Sequence, residues 1–151
     1  MKTCKVIKIE ESSNIDNIIK KCALAFDEPV HMRNYYISML NKISKYADFY
    51  AVFCPNVVGY LAIYANNYID KIAYITLIAV VPEYQNMGIG KMLLKKCEQI
   101  AVNKGFKVVR LEVKKNNTNA IMFYKRNGFN IIDDASSNSY YMEKDLKKFN
   151  D

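Results

Sequence analysis

The fold prediction depends on the stretch Val80-Val81-Pro82-Glu83-Tyr84-Gln85-Asn86-Met87-Gly88-Ile89-Gly90-Lys91, in which an apolar strand runs into a glycine-containing turn and then directly into a helix. The first turn of a helix has N–H groups without intrahelical acceptors and a partial positive charge, which together favour a phosphate group. Glycine at positions 88 and 90 lets a phosphate approach the backbone without meeting a Cβ. Because glycine patterns this short are weak signals, the residues alone leave open a phosphate site and an ordinary strand-to-helix turn.

Two better-known phosphate motifs do not fit this stretch. A P-loop requires Gly at position 85 and Ser or Thr at position 92, where the chain has Gln85 and Met92. A dinucleotide-binding G-x-G-x-x-G motif requires Gly at position 93, which is Leu93. A phosphate site here therefore belongs to another class of protein.

The periodicity of apolar residues predicts a mixed α/β domain with the order β-α-α-β-β-β-α-β-α-β-β. The predicted strands are Val6–Ile9, Phe49–Cys54, Val57–Tyr64, Ile72–Val81, Lys107–Val113, Phe129–Asp133 and Tyr140–Lys144. The predicted helices are one capped by Ser13 or Asn14 and closed by Pro29, one with Met32 to Ile43 at helical spacing, one from Gly88 to Gly105, and Asn117–Arg126.

The length of 151 residues and the absence of a linker or repeat predict a single domain, 1–151. The four cysteines, at positions 4, 22, 54 and 97, are scattered, and the only histidine is His31, so we expect neither a disulfide scaffold nor a metal site. Met1 to Glu11 has no apolar run, and the apolar stretch from Ile75 to Pro82 is too short to cross a membrane. We therefore expect a reduced, cytoplasmic protein without membrane contact.

The net charge of +7 is unevenly distributed along the chain. Residues 85–126 contain 10 Lys and Arg against two acidic residues, Glu98 and Glu112. A positive field over one segment favours an anionic partner. Nucleic acid and a multiply phosphorylated cofactor both satisfy this condition, and charge alone does not choose between them.

Two blocks of sequence resemble the GNAT superfamily of N-acetyltransferases. Residues 85–90 match its Gln/Arg-x-x-Gly-x-Gly/Ala motif, after a stretch similar to the family's central strand and its exit. Residues 111–129 resemble its second block, with the expected helix and strand between the two. The resemblance implies an α/β acyl-CoA N-acyltransferase fold with a mixed central sheet, helices on both faces and a splayed central strand pair.

The resemblance also implies a function and a set of site residues. An acetyl group would pass from acetyl-CoA to a primary amine by direct attack in a ternary complex. Tyr124 would protonate the departing thiolate, and Glu112 matches a position that some relatives use as general base. The backbone at Ile78, Ala79 and Val80 would bind the pantetheine arm, and Asn117 would also contact the cofactor. The pyrophosphate would lie on the turn and helix start formed by Gln85, Asn86, Met87, Gly88, Ile89, Gly90 and Lys91.

Each side chain also has a simpler interpretation that stays open. Tyr124 fits an aromatic core position, Glu112 an ordinary strand face beside Arg110, and Asn117 a helix cap. The acceptor stays open as well, as a small-molecule amine, an amino sugar or a protein amine. A non-catalytic acyl-CoA-binding sensor is the alternative function. Nucleic-acid binding ranks lowest because the basic excess falls on the segment that would face CoA phosphates, and a homodimer is compatible with the family.

Overall fold

A computed structural model of the chain describes residues 3–146 and reproduces the predicted order of helices and strands. Short 3₁₀ segments at Ala23–Ala25, Val30–Met32 and Pro82–Tyr84 interrupt the connections. The strands are β1 (Lys5–Lys8), β2 (Asp48–Phe53), β3 (Val57–Tyr64), β4 (Ile72–Val80), β5 (Val108–Lys114), β6 (Asn130–Asp134) and β7 (Ser139–Asp145). The helices are α1 (Ser12–Lys21), α2 (Tyr36–Tyr46), α3 (Ile89–Asn103) and α4 (Thr118–Arg126).

The strands form one mixed sheet in the order β1-β2-β3-β4-β5-β7-β6, which confirms the predicted fold class. The pairs β1–β2, β2–β3, β5–β7 and β6–β7 are antiparallel, whereas β4–β5 is parallel. The β4–β5 ladder runs from the Ile72–Val108 pair to the Ile75–Leu111 pair, although β4 continues to Val80. This short ladder agrees with the prediction of a splayed strand pair.

The chain divides into two compact units. Unit 1 comprises residues 1–64 and 77–97, and unit 2 comprises residues 65–76 and 98–151. The predicted single domain, 1–151, stays a prediction, and its ends at residues 1–2 and 147–151 lie outside the described residues.

Unit 1 has its core between the sheet and the first two helices. The apolar faces of α1 and α2 pack against alternate residues of β2 and β3, such as Phe49 and Tyr60, whose rings stack at 5.3 Å. Alternation along β2 places Tyr50 on the opposite face, where Lys96 of α3 lies 4.8 Å from its ring centroid. Helices therefore cover both faces of the sheet in this unit, as predicted.

Unit 2 buries one face of β5 through Val109, Leu111 and Val113. Their neighbours Arg110 and Glu112 are on the other face, because strand side chains alternate. Helix α4 contributes Ile121 to the core, and Phe129 follows the helix as a fully buried ring.

Helix boundaries differ from the sequence prediction at three places. The predicted stop of the first helix at Pro29 is wrong, because α1 ends at Lys21 and a separate 3₁₀ turn follows at Ala23–Ala25. Helix α1 begins at Ser12 after an N-cap at Glu11 that makes no side-chain capping bond, so the predicted caps Ser13 and Asn14 are wrong. The backbone carbonyl of Glu11 accepts from the N–H of Asn14 and of Ile15 instead. Met32 lies in a separate 3₁₀ turn, and α2 starts only at Tyr36.

The expectation of a fully reduced chain is wrong, because Cys4 and Cys54 form a disulfide. Pairing of Lys5 with Phe53 in the β1–β2 ladder places the preceding Cys4 beside the following Cys54. No local spacing reveals this neighbour relation, because the two cysteines are 50 residues apart in sequence. Cys22 and Cys97 are both buried in the core.

Removing the disulfide with the variant Cys4→Ser/Cys54→Ser is expected to lower the free energy of unfolding by about 4 kcal/mol, because a cross-link over a loop of this size restricts the unfolded chain. Urea unfolding followed by circular dichroism measures the difference. Adding reductant should bring the wild type to the variant's midpoint and leave the variant unchanged. Equal midpoints for oxidised wild type and variant would contradict the prediction.

Candidate active site

In unit 1, several hydrogen bonds hold the connection from β4 to α3. The N–H of Val81 donates to the carbonyl of Val58 at 2.9 Å, and Tyr84 closes the 3₁₀ turn by donating to Val81 at 2.9 Å. The side-chain amide of Gln85 donates to the carbonyl of Val80 at 3.1 Å. The predicted site residue Gln85 therefore fixes the turn through its side chain.

The turn after Gln85 contains two residues with positive φ. Asn86 has a φ of 63° and Gly88 a φ of 85°, a region that residues with a Cβ rarely adopt. The space that a Cβ on Gly88 would occupy is open, because apart from its chain neighbours no residue in the described range 3–146 has an atom within 4 Å of it. Glycine at position 88 therefore permits the positive φ and leaves open space at the N-terminus of α3.

The start of α3 has a run of N–H groups without acceptors. The first helical bond is from the N–H of Met92 to the carbonyl of Gly88, at 3.0 Å. The six preceding N–H groups, from Asn86 to Lys91, have no hydrogen-bond acceptor within residues 3–146. Such a run at a helix N-terminus binds anions, because unpaired donors and the positive end of the helix dipole coincide.

The predicted pantetheine strand, Ile78–Val80, lies at the end of β4 in unit 1. Its neighbour Gly59 on β3 is a residue that sequence reasoning missed. A Cβ on Gly59 would lie 2.6 Å from the carbonyl oxygen of Ala79, so only glycine lets β3 pass this close. An isolated glycine inside a strand pattern is the signal that could have indicated this close backbone approach.

In unit 2, Tyr124 is on α4 and is half-buried. Its ring packs edge-to-face against Phe123 and Phe129, at centroid distances of 5.4 Å and 5.7 Å. Burial raises the pKa of Tyr124 to about 12, so the phenol stays protonated at neutral pH. Its hydroxyl has no hydrogen-bond partner in the described part of the chain, which leaves it available to a ligand.

Glu112 on β5 is exposed, and its carboxylate accepts a hydrogen bond from the hydroxyl of Ser139 at 2.7 Å. Ser139, the first residue of β7, is itself only 5% exposed and was not among the predicted site residues. Tyr74 is near both Glu112 and Tyr141, and its pKa is raised by burial first and by these two groups next. Arg110 donates to Glu143 at 2.6 Å, so Glu112 is a separate carboxylate on this polar face.

Asn117 has the capping role that was one of its two interpretations. It is the N-cap of α4, and its side-chain oxygen accepts from the N–H of Ala120 at 3.1 Å. Its side chain is exposed, so the cap is also accessible to a ligand.

The predicted site residues thus form two groups. Ile78 to Lys91 lie together in unit 1, whereas Glu112, Asn117 and Tyr124 lie in unit 2. His31 is in the turn between α1 and α2, and among residues 3–146 its buried Nδ1 has no hydrogen-bond partner. Within residues 3–146, no three His, Cys, Asp or Glu residues are placed to hold a metal ion, and no helix is long and apolar enough to cross a membrane.

Comparison with known proteins gives the family. Residues 14–129 match the family model of the GNAT acetyltransferases. The match contains both the turn before α3 and Tyr124, and it covers most of the chain. The chain belongs to the GNAT acetyltransferase family.

Individual curated relatives match only part of the chain. A spermidine N(1)-acetyltransferase of Thermoplasma acidophilum is 40% identical over 63 residues, which are 42% of this chain and 38% of the relative. A thialysine N-epsilon-acetyltransferase of Bos taurus is 35% identical over 83 residues, which are 54% of this chain and 49% of the relative. The matched segments thus span less than half of these curated relatives.

Solved structures share the fold over nearly the whole chain. The PaiA N-acetyltransferase of Thermoplasma acidophilum, solved with coenzyme A, has a TM-score of 0.79 at 23% identity and covers 95% of this chain and 99% of its own. The ribosomal-protein-S18-alanine N-acetyltransferase of Escherichia coli has a TM-score of 0.77 at 17% identity, covering 95% and 94%. At such identities the likeness shows the fold alone.

Replacing the capping residue in Asn117→Ala is expected to lower the free energy of unfolding by about 1 kcal/mol, because the N–H of Ala120 loses its acceptor. Thermal unfolding of the purified variant measures the loss. Asn119→Ala, an exposed change on the same helix, is the control and should be close to neutral. A stability equal to wild type in Asn117→Ala would show that the cap contributes little.

Proposed function

We propose that the protein is an acetyl-CoA-dependent N-acetyltransferase that acts on a primary amine. The observation that supports this most strongly is the run of unpaired N–H groups from Asn86 to Lys91 within a GNAT family member. These groups would bind the pyrophosphate of acetyl-CoA. The exposed Lys91 and Lys95 add positive charge on the same helix.

The strand Ile78–Val80 would bind the pantetheine arm through its backbone. The β4–β5 ladder ends at Ile75, so the following backbone groups of β4 can pair with the arm as with an added strand. An N–H of this strand would also donate to the oxyanion that forms when the amine attacks the thioester carbonyl. Asn117 would contact the cofactor from the start of α4.

Tyr124 would donate to the sulfur as the carbon–sulfur bond breaks. The pKa of about 12 keeps its proton in place. A thiol has a pKa of about 8.5, so complete proton transfer from the phenol to the thiolate would be uphill. The role that fits best is a hydrogen bond that stabilises the charge on the departing sulfur, and the thiolate finally takes its proton from solvent or from the protonated amine.

Glu112 would accept the proton that the acceptor amine must lose before it attacks. Its carboxylate is exposed and held by the buried Ser139, which fixes one oxygen and leaves the other available. A water between amine and carboxylate would complete the transfer. Tyr74 and Tyr141 would line the approach on this polar face.

The acceptor is proposed to be a small aliphatic amine. The curated relatives are named for acetylation of spermidine and of thialysine, both of which have a primary amine on a flexible chain. Spermidine and lysine analogues are therefore the first acceptors to test, followed by amino sugars and peptides.

Calorimetric titration with acetyl-CoA tests the cofactor, with ATP as the competing anion. The variant Gly88→Leu is expected to weaken acetyl-CoA binding by about tenfold or more, because its side chain would fill the open space in front of the unpaired N–H groups. Gly105→Leu is a matched control, since Gly105 also has positive φ and open space around a Cβ. Both variants have the same kind of backbone strain, and only Gly88→Leu should lose affinity.

Equal affinity of both leucine variants and wild type, in folded protein, would place the pyrophosphate elsewhere. Binding of acetyl-CoA without transfer to any of the tested amines would favour the non-catalytic sensor instead. No binding of acetyl-CoA or another acyl-CoA would remove the proposed activity.

The variant Tyr124→Phe is expected to lower kcat about a hundredfold while the affinity for acetyl-CoA stays unchanged, because the hydrogen bond to sulfur matters only as the bond breaks. Steady-state assays of CoA release measure both parameters. The pKa of about 12 means that Tyr124 does not titrate between pH 6 and 10, so the variant and wild type should have pH profiles of the same shape in that range. Tyr68→Phe, on an exposed turn, is the control. Unchanged turnover in Tyr124→Phe would remove this role.

The cytoplasmic location and the homodimer stay predictions. The Cys4–Cys54 disulfide does not support a reducing compartment, because structural disulfides form mainly in oxidising ones.

A further inference from the structure

Unit 2 contains an ion pair that is largely removed from solvent. Lys144 of β7 contacts Glu98 of α3, and the two side chains are only 14% and 18% exposed. Taking two charges out of water is costly, and such a pair often contributes little to stability compared with apolar residues. A contribution to stability is therefore a weak explanation for this pair.

The ammonium group of Lys144 has a second partner at the end of α4. Its Nζ donates to the carbonyl of Asn127, the C-cap residue, at 2.8 Å. Carbonyls at a helix C-terminus lack intrahelical donors and have partial negative charge, so a cation is favoured there. The side chain reaches this point by passing Gly128, where a Cβ would lie 3.0 Å from the Cε of Lys144.

Tyr124 lies near the same C-terminal end of α4. The backbone carbonyl of Tyr124 accepts from the N–H groups of both Asn127 and Phe129, each at 3.0 Å. The Tyr124 ring packs against the Phe129 ring. A movement of residues 127–129 therefore moves both the backbone and the ring contact that orient the Tyr124 hydroxyl.

We propose that Lys144, held in place by Glu98, is a positioning residue for Tyr124. Its hydrogen bond to Asn127 fixes the last turn of α4 and thereby the direction of the phenol. The proposal rests on the proposed role of Tyr124 at the departing sulfur. A displacement of about 1 Å in a reacting group is enough to cost up to about a hundredfold in rate.

The test uses the double variant Glu98→Gln/Lys144→Met. Removing both charges avoids leaving one of them buried and unpaired, which would destabilise the fold for a different reason. We expect kcat to fall about tenfold and KM for acetyl-CoA to stay within about twofold, because the loss is confined to the orientation of one donor. Lys125→Met removes a charge from the exposed side of the same helix turn and should leave both values unchanged.

A combination with Tyr124→Phe separates positioning from a general structural effect. If Lys144 acts through Tyr124, adding the double change to Tyr124→Phe should cause no further loss of kcat, since coupled residues are not additive. A full further loss of about tenfold would overturn the proposal. Unchanged kcat when the double change is made in otherwise wild-type protein would also overturn it.

A spectroscopic measurement tests the positioning without any activity. In protein with ¹³C-labelled tyrosine rings, the resonance of Tyr124 is the one missing from Tyr124→Phe. It should shift in Glu98→Gln/Lys144→Met and stay in place in Lys125→Met.

If Tyr124→Phe keeps full turnover, the catalytic role of Tyr124 fails, and this resonance still tests whether Lys144 orients the ring. An unmoved Tyr124 resonance in the folded double variant overturns the proposal. Glu98→Gln/Lys144→Gln serves the same comparison if the methionine variant does not fold.

Discussion

The first turn of an α-helix cannot satisfy its own N–H groups, and in this protein the turn before α3 adds more of them. The consequence is a continuous run of donors from Asn86 to Lys91 at the positive end of a 15-residue helix. Two features of the surrounding structure keep these donors in position. The side chain of Gln85 hydrogen-bonds the end of β4, and positive φ at Asn86 and Gly88 directs the chain into the helix. A diphosphate matches such a row of donors better than water does, because it bonds several of them at once.

The part of the fold that could be predicted is the part encoded by local pattern. A nearly all-apolar strand, a glycine turn and an amphipathic helix follow one another along the chain, so apolar periodicity alone predicts their order and type. The cap at Asn117 is predictable for the same reason, since capping joins residues three apart. Helix starts are harder to predict: α1 begins without a side-chain cap, although Ser13 and Asn14 offered two.

Relations between distant residues could not be predicted from pattern. The disulfide joins Cys4 to a cysteine 50 residues later, and only the β1–β2 register brings the two together. Ser139 beside Glu112 is a similar case, because the β5–β7 pairing places the first serine of β7 next to a carboxylate of β5. The raised pKa of Tyr124 depends on burial, which composition does not report. Local pattern therefore nominates candidate residues for the site, whereas their partners and burial depend on the tertiary fold.

The disulfide between Cys4 and Cys54 has a consequence for misassembly. β1 is an edge strand of the sheet. When an edge strand detaches, the backbone N–H and C=O groups of its neighbour become available to other molecules. The Cys4–Cys54 disulfide would keep a detached β1 covalently linked to the end of β2. Such a strand could not replace β1 in the sheet of a second molecule. Oxidised protein should therefore resist strand exchange at this edge of the sheet, and reduced protein loses that protection.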